Sequence, residues 1–256
     1  MAAEGVKVFY DKNFVTTPMI SLAALKLNCF AGVIITASHN PPTYNGFKLK
    51  SGFGGPSPEA DIQTVEDLIP EHVEVELHNF DTLVENGMLE YVNLEDMYFE
   101  HVEAHFDLKT LRNSNCNLVY DAMYGSGQNV FKRIMPNAKH LHCEHNQGFD
   151  GQAPEPIDKN LQELSKALKD NDDYHLGLAN DGDADRIGLY NSTGKFIDAH
   201  HIILVLIHIL HKYQNMTGKV VVAFSASPKI KKMCTAYGLD IEVTKIGFKN
   251  IAPFMI

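Results

Sequence analysis

Three aspartates follow an apolar segment closely enough to share one ion. The sequence DGDADR at 181–186 places carboxylates at alternate positions, directly after the strand-like stretch 175–179. In a tight loop such carboxylates converge, and two unit charges about 4 Å apart repel by up to about 4 kcal/mol at an effective dielectric constant of about 20. A hard divalent cation with oxygen ligands removes that repulsion. We therefore predict a Mg²⁺ site at Asp181, Asp183 and Asp185.

Other acidic loops have similar spacing. An EF-hand requires Gly at its sixth position and Glu at its twelfth, and counting from Asp181 these positions hold Arg186 and Ser192, which excludes it. A haloacid-dehalogenase-type phosphatase also has Asp-x-Asp after an apolar strand and uses the first Asp as nucleophile. Arg186 stands where that pattern would continue, so the fit is poor, but this phosphatase stays an alternative function. A solvated acidic turn is less favoured because an apolar strand precedes the loop.

A second polar loop leaves another apolar segment at Ser38. The sequence TASHNPPTYNGFK occupies 36–48 and follows the apolar residues 32–35. A serine in this position can carry or receive a phosphoryl group, with His39 and Lys48 supplying hydrogen-bond donors around it. An ordinary turn is the structural alternative, since Asn-Pro and Asn-Gly are common turn dipeptides. The two loops support each other because a phosphoserine and a carboxylate cluster both need a cation.

The elements that must position these loops alternate between strand and helix patterns, which favours an α/β fold. We predict strands at 6–10, 32–36, 118–120, 175–179, 187–190, 220–224 and 241–244. We predict helices from Pro18, from Pro58 with Ser57 as N-cap, at 94–106, from Asp158 as N-cap, at 199–213 and at 228–237. The helix at 199–213 is expected to be buried, and residues 71–90 are expected to connect two units.

Composition limits the class of protein. With 22 Lys plus Arg against 32 Asp plus Glu, the formal net charge is −10, which argues against a nucleic-acid partner or an anionic membrane surface. The most apolar run, 202–207, is far shorter than the roughly 20 residues of a membrane-spanning helix, and the N-terminus lacks a signal-peptide pattern. The four cysteines form no C-x-x-C pair, which predicts reduced thiols and a cytoplasmic location.

Two further groups are expected to be structural. His140, His142 and His145 alternate in a polar stretch without a metal-ligand pattern. The segment Gly-Ser-Gly at 125–127 lacks the third glycine of a dinucleotide fingerprint, so we interpret it as a tight turn.

Together, the serine loop and the aspartate loop resemble those of the α-D-phosphohexomutase superfamily, the phosphoglucomutase and phosphomannomutase group. Supporting matches are TPM at 17–19, PEP at 154–156 and TKIGF at 244–248, so the resemblance extends over essentially the whole chain. It implies a multi-domain α/β fold with mixed sheets sandwiched by helices. The implied domains are the C-terminal part of domain I at 1–82, domain II at 83–198 and the N-terminal part of domain III at 199–256.

The resemblance also implies a role for each candidate residue. Ser38 would be the phosphorylated serine, and together with the three aspartates it would bind Mg²⁺. Arg186 would lie beside the phosphoserine. His39 and Lys48 would shape the catalytic site, with Lys48 a candidate general acid or base. Lys245 would face the sugar phosphate from the third domain.

The activity implied by the resemblance is the interconversion of hexose 1-phosphate and hexose 6-phosphate through a bound hexose bisphosphate. Glucose, mannose and glucosamine phosphates are the implied substrates. Members of the superfamily have four domains, so we expect that this chain is truncated at both ends and has little activity alone. A non-catalytic fragment that needs a partner is the remaining alternative.

Overall fold

The computed structural model describes residues 1–72, 76 and 78–255. Part of the predicted connection at 71–90, namely 73–75 and 77, lies outside the described residues, as does Ile256 at the end of the predicted third domain. The chain divides into two compact units, 1–34 with 49–108 and 35–48 with 109–256. Among the described residues, no helix combines the length and the apolar character needed to span a bilayer.

Strands and helices alternate along most of the described chain, as an α/β protein requires. The strands are β1 (Val8–Tyr10), β2 (Ala31–Thr36), β3 (Gly46–Ser51), β4 (Leu89–Tyr91), β5 (Leu118–Asp121), β6 (Lys139–Leu141), β7 (Leu176–Asn180), β8 (Ile187–Asn191), β9 (Phe196–Ile197), β10 (Lys219–Ala223) and β11 (Asp240–Thr244). The helices are α1 (Thr17–Lys26), α2 (Glu59–Asp67), α3 (Phe80–Glu85), α4 (Leu94–His105), α5 (Leu108–Arg112), α6 (Gln128–Ile134), α7 (Gln162–Lys169), α8 (Ala199–Lys212) and α9 (Pro228–Tyr237).

In the first unit, α1 packs against α4, and β1 pairs with β4. The Thr16 hydroxyl oxygen accepts a hydrogen bond from the Met19 amide at 3.2 Å, and the proline at the first turn needs no amide partner, so this sequence starts a helix here. Strand β4 runs parallel to β1 with Val8 opposite Leu89. The segment 71–90, predicted to connect two units, lies within the first unit instead, where its described part forms α3 and β4.

The second unit is built on a mixed five-stranded sheet in the order β6-β5-β7-β8-β9. Strands β6, β5 and β7 are parallel, while β8 and β9 add as antiparallel strands. Val119 of β5 packs with Leu164 and Leu168 of α7. Its neighbour Tyr120 stacks on Phe131 of α6, with ring centroids 3.8 Å apart. Since successive side chains of a strand point to opposite faces, helices cover both faces of this sheet, which confirms the predicted fold class.

A separate pair of parallel strands, β10 and β11, is joined by α9 in the second unit. Helix α8 contacts α9 through one stripe, on which Ile207 is buried. On its other sides Val205 and Leu206 are 54% and 51% exposed. The prediction of a buried helix at 199–213 is therefore wrong, because an apolar composition all round does not by itself supply a partner for every face.

Two predicted helix starts are displaced because the expected caps have other partners. Helix α2 begins at Glu59 without a side-chain cap, and the Ser57 hydroxyl lies 3.3 Å from the Ser51 hydroxyl. A 3₁₀ turn at Asp158–Asn160 precedes α7. The Asp158 carboxylate accepts a hydrogen bond at 2.6 Å from the buried Tyr190 hydroxyl. In both cases the side-chain oxygen that was predicted to cap the helix instead makes a hydrogen bond with another side chain.

Burial in the second unit generates a stability prediction. Leu164 is 0% exposed between β5, β7 and β8, so Leu164→Ala should lower the free energy of unfolding by about 2–5 kcal/mol, measured by urea denaturation. Leu206→Ala removes the same atoms from an exposed position of α8 and should cost no more than about 0.5 kcal/mol. Equal losses for the two variants would contradict the assignment of this core.

Candidate functional site

The loop 181–186 is a tight turn that joins β7 to β8. One carboxylate oxygen of Asp181 accepts hydrogen bonds from the amides of Asp185 and Arg186, both at 3.0 Å. Ala184 adopts a left-handed conformation with φ of 55°, which lets the chain turn back on itself. As a result, ligand atoms of Asp181, Asp183 and Asp185 all lie within 4.8 Å of one another.

The loop is held at its base by groups from β5, from the turn after β5 and from the last residue of β7. The amide and hydroxyl of Ser126 both donate to the Gly182 carbonyl oxygen, at 2.9 and 3.1 Å. The Asn180 side chain donates to the Arg186 carbonyl oxygen at 2.7 Å and accepts from the Tyr120 hydroxyl at 3.1 Å. These bonds fix both ends of the loop, so the carboxylates are positioned by the sheet rather than by the loop alone.

Ser38 lies two residues beyond the end of β2, in the segment 35–48 that belongs to the second unit. Its backbone has φ of 53°, and its amide donates to the Thr36 hydroxyl at 2.8 Å. The Ser38 hydroxyl oxygen lies 3.3 Å from an oxygen of Asp181 and 3.2 Å from one of Asp183. An added Cβ at Gly182 would lie 2.3 Å from the Ser38 carbonyl oxygen, so glycine is required for this approach.

Lys48 provides the nearest positive charge among the described contacts of this site. Its ammonium lies 2.9 Å from an oxygen of Asp183 and 3.6 Å from one of Asp185. Burial by itself would lower the pKa of Lys48, but the hydrogen bond to Asp183 and the surrounding carboxylates raise it above its ordinary value. Lys48 is therefore held as a cation at neutral pH.

The ionised form of Asp181 is disfavoured at this site despite the nearby Lys48. Burial, followed by the charges of Asp183 and Asp185, raises the pKa of Asp181 to about 7, while the amide hydrogen bond from Arg186 opposes that rise. The Arg186 guanidinium lies 3.9 Å from Asp181 and is about half exposed. Three carboxylates beside one hydroxyl form an all-oxygen donor set, which is the set that a hard divalent cation selects. The residues present therefore fit such an ion.

The other two predicted site residues are placed differently. His39 follows Ser38 in the same turn, and its buried Nδ1 has no hydrogen-bond partner within the described part of the chain. Lys245 follows directly after β11, in the two-stranded sheet, whereas Asp181 follows β7 in the five-stranded sheet. The structure thus brings Ser38 and Lys48 to the aspartates but gives Lys245 no described contact with them.

Sequence reasoning missed the residues that support the site. Ser126, Asn180 and Tyr120 act through hydrogen bonds to backbone atoms or amides, and no spacing rule marks such contacts. The sequence did mark Gly125 as part of a predicted tight turn. In the structure, an added Cβ at Gly125 would lie 2.8 Å from the Asp181 carbonyl oxygen, so only glycine fits here. The turn at 125–127 is therefore structural, as expected, but its role is to support the aspartate loop.

A second ionic group lies at the ends of β5 and β6. Nδ1 of His142 is 2.9 Å from the buried Asp121 carboxylate, and its Nε2 is 3.3 Å from Glu163. The hydrogen bond with Asp121 is the main cause that raises the pKa of His142 to about 9, against an opposing effect of burial. His142 is therefore charged at neutral pH, which the sequence did not predict.

Two protein-family models match the chain. Residues 1–76 match "Phosphoglucomutase/phosphomannomutase, alpha/beta/alpha domain I", and residues 96–194 match "Phosphoglucomutase/phosphomannomutase, alpha/beta/alpha domain II". The α/β fold of the described residues agrees with the alpha/beta/alpha domains that these models describe. The chain belongs to the phosphoglucomutase/phosphomannomutase family of the α-D-phosphohexomutase superfamily, which confirms the resemblance.

The names of similar proteins refer to different sugar phosphates. The chain is 36% identical to a Neisseria gonorrhoeae phosphoglucomutase, over 98% of this chain and 53% of that protein. It is 32% identical to a Methanopyrus kandleri protein described as a phosphoglucosamine mutase, over 98% and 54% of the two chains. A Thermus thermophilus crystal structure described as a phosphomannomutase superposes with a TM-score of 0.86 and 32% identity, over 97% and 56%. The chain thus spans about half the length of these relatives.

The His142 pair generates a pH prediction. Because its pKa in the folded state lies above the unfolded value of about 6.5, its stabilisation is fully present below about pH 6.5 and is lost as the pH rises through about 9. The difference in unfolding free energy between wild type and His142→Gln should therefore shrink by on the order of 2 kcal/mol between about pH 6 and pH 10, measured by urea denaturation.

The exposed His72 provides the control for this pH prediction. For His72→Gln, the difference from wild type should change by less than about 0.5 kcal/mol over the same range. A His142→Gln difference that is independent of pH would contradict the ion pair.

Proposed function

We propose that Ser38 carries a phosphoryl group and that this chain supplies the phosphoryl-transfer part of a phosphohexomutase site. The observation that carries the proposal is the placement of the Ser38 hydroxyl within 3.2–3.3 Å of two buried carboxylates. A neutral hydroxyl tolerates that environment, whereas a phosphate beside carboxylates is repelled unless a cation lies between them. The site is therefore suited to a serine that is phosphorylated in the presence of a metal ion.

The ion that we propose is Mg²⁺, held by Asp181, Asp183, Asp185 and the Ser38 oxygen or its phosphate. Mg²⁺ prefers carboxylate and phosphate oxygens, and these residues offer no competing sulfur or nitrogen ligand. When bound, the ion would neutralise charge that develops on the transferring phosphoryl group. The Lys48 ammonium partly neutralises the carboxylates, because it pairs with Asp183 and Asp185.

The remaining candidates have proposed roles around the phosphoryl group. Arg186 is half exposed beside Asp181, so its guanidinium is able to orient a phosphate oxygen. His39 follows Ser38 in the chain, and its buried Nδ1, which lacks a partner among the described residues, suits a positioning contact to the phosphoserine loop. Lys245, directly after β11, is proposed to hold the phosphate of the sugar substrate.

The proposed reaction moves one phosphoryl group in each direction. The bond between the Ser38 oxygen and phosphorus breaks as a hydroxyl oxygen of the hexose monophosphate bonds to phosphorus, which gives a hexose bisphosphate. The Lys48 ammonium donates a proton to the Ser38 oxygen, and the resulting amine accepts the proton that the sugar hydroxyl releases. The other phosphoryl group then returns to Ser38 by the reverse steps, so the hexose phosphate is isomerised.

The substrate class is proposed from the relatives, whose names specify glucose, glucosamine and mannose. Glucose, mannose or glucosamine phosphate and the corresponding bisphosphate are therefore the proposed ligands. We also propose domain boundaries at 82 and 198, with the phosphoserine loop in domain I and the aspartate loop in domain II. The four cysteines are free thiols in the structure, which supports the proposed cytoplasmic location.

An aspartyl-phosphate mechanism of the haloacid dehalogenase type is less well supported. Asp181, the nucleophile of that alternative, is 0% exposed. One of its oxygens accepts two backbone amides and the other faces Ser38. Because a nucleophile must reach the phosphorus of its substrate, this burial favours the serine as phosphoryl acceptor.

Metal binding provides a direct test. Wild-type chain should bind one Mg²⁺ in isothermal titration calorimetry, and Asp183→Asn should weaken that binding by roughly 10- to 100-fold because it removes a buried charged ligand. Asp172→Asn, which changes the same group in an exposed turn, should leave the affinity unchanged. Equal affinity in wild type and Asp183→Asn would contradict the proposed ligand set.

Phosphorylation provides the second test. Wild-type chain incubated with radiolabelled glucose 1,6-bisphosphate and Mg²⁺ should acquire label that resists hydroxylamine and maps to Ser38 by mass spectrometry. Ser38→Ala should abolish the label, whereas Ser192→Ala, at an exposed turn, should retain it. Hydroxylamine-sensitive label that persists in Ser38→Ala would support the aspartyl phosphatase instead, and the absence of label from wild type would also contradict the proposal.

A further inference from the structure

A cavity separate from the serine and aspartate loops opens at the carboxyl ends of β5 and β6. It has a volume of about 220 Å³, and its lining begins with Asp121 at the end of β5 and His142 directly after β6. Pro154 separates the cavity from the aspartate loop: it lines the cavity, and an added Cβ at Gly182 would lie 3.0 Å from its ring. The cavity is therefore an immediate neighbour of the proposed phosphoryl site.

The chain topology explains why a cavity forms at this place. After β5 the chain enters α6, which packs on the sheet face of Tyr120, whereas after β6 it proceeds to α7, which packs on the opposite face of Val119. The strand order β6-β5-β7 means that the chain leaves β5 for one side of the sheet and crosses back to the other. Loops that diverge in this way leave a crevice at the carboxyl ends of parallel strands, which is where open α/β sheets bind ligands.

The lining combines charges, amides and aromatic rings. The residues that line it include two cations, three carboxylates, three side-chain amides and the aromatic residues Tyr124 and Phe149. His142 pairs with Asp121 on one side and with the exposed Glu163 on the other. Asp150 makes no described ion pair, and Glu163 keeps further lone pairs, so these two carboxylates can accept hydrogen bonds from a ligand. Because carboxylates outnumber cations, the cavity disfavours an anion, whereas hydroxyl groups can donate to carboxylates and accept from amides.

Backbone conformation is unusual around the cavity. Nine non-glycine residues among those described have positive φ, and five of them line this cavity: Met123, Tyr124, His142, Phe149 and Asp150. Such conformations cost free energy and persist where surrounding structure holds them in place. Among these residues, Tyr124 and His142 lie close together, with their ring centroids 4.8 Å apart.

We propose that this cavity is a binding site for a neutral polyhydroxylated ligand the size of one monosaccharide. The volume is below the roughly 300–1,000 Å³ of pockets for drug-sized ligands, which limits the ligand to one ring. Hydroxyl groups match the exposed carboxylates and amides, and the aromatic rings offer an apolar surface for the face of a sugar ring. The site uses none of the residues assigned to phosphoryl transfer, so it goes beyond the proposed function and does not depend on it.

The test uses methyl glucoside, which carries hydroxyl groups but no phosphate. Titration of the isotope-labelled chain should shift proton–nitrogen correlations of Tyr124, His142 and Gln152 in a saturable manner, with a dissociation constant on the order of millimolar. Inorganic phosphate, the second probe, should leave those signals unchanged. No saturable shift with methyl glucoside, or comparable shifts at the cavity with phosphate, would overturn the proposal.

Two variants separate ligand contacts from folding. Tyr124→Asn removes the aromatic ring while keeping a residue that tolerates positive φ, and Glu163→Gln removes a charge from a side chain that is 64% exposed. Each should weaken methyl glucoside binding by about 2- to 10-fold. Tyr213→Asn, the same change at an exposed position beyond α8, should bind like wild type. If Tyr124→Asn does not fold, Glu163→Gln decides, and unchanged affinity in it would refute the contact.

Discussion

Repulsion among three converging carboxylates is the constraint on which the site depends. Asp181, Asp183 and Asp185 are brought within 4.8 Å of one another, and two of them are buried. Burial removes the solvent that would screen these charges, so the contacts around the loop must compensate for them or hold the loop closed. Lys48 supplies charge, and the hydrogen bonds from Ser126 and Asn180 hold the loop. The unfavourable free energy of three neighbouring carboxylates is the reason that we propose a cation at this site.

Two parts of the chain that are far apart in sequence meet under that constraint. Ser38 reaches the aspartates because Gly182 has no Cβ and because the Ser38 backbone adopts a left-handed conformation. Both are local costs, and such costs persist only where surrounding structure holds the residues in place. The five-stranded sheet that carries the aspartate loop also forms the crevice at His142, since the carboxyl ends of β5, β6 and β7 lie next to one another. The aspartate loop of the proposed phosphoryl site and the proposed sugar site therefore lie on the same sheet.

Most of the strands and helices could be predicted from local patterns, but their partners could not. The apolar pattern at 199–213 predicted α8 correctly as a helix and wrongly as buried, because burial depends on what packs against each face. Residues 71–90 lack a strong period, and β4 forms there because β1 offers a parallel partner. Ser57 and Asp158 have side chains that commonly cap helices, but here they form hydrogen bonds with Ser51 and Tyr190 instead. Local propensity is a weak prior whenever a tertiary contact competes for the same atom.

The sequence alone determined the chemical types at the site: a serine after one apolar segment, three alternating carboxylates after another, and the resemblance to phosphohexomutases that these motifs carry. Only the tertiary structure decided their arrangement. It placed Lys48 on Asp183 and Asp185, gave Ser126 and Asn180 their supporting roles, and paired His142 with Asp121. The physical reason is that spacing along the chain specifies only which chemical groups are available. The distances between those groups and their burial determine their protonation states. Distances and burial in turn depend on the order of the strands in the sheet.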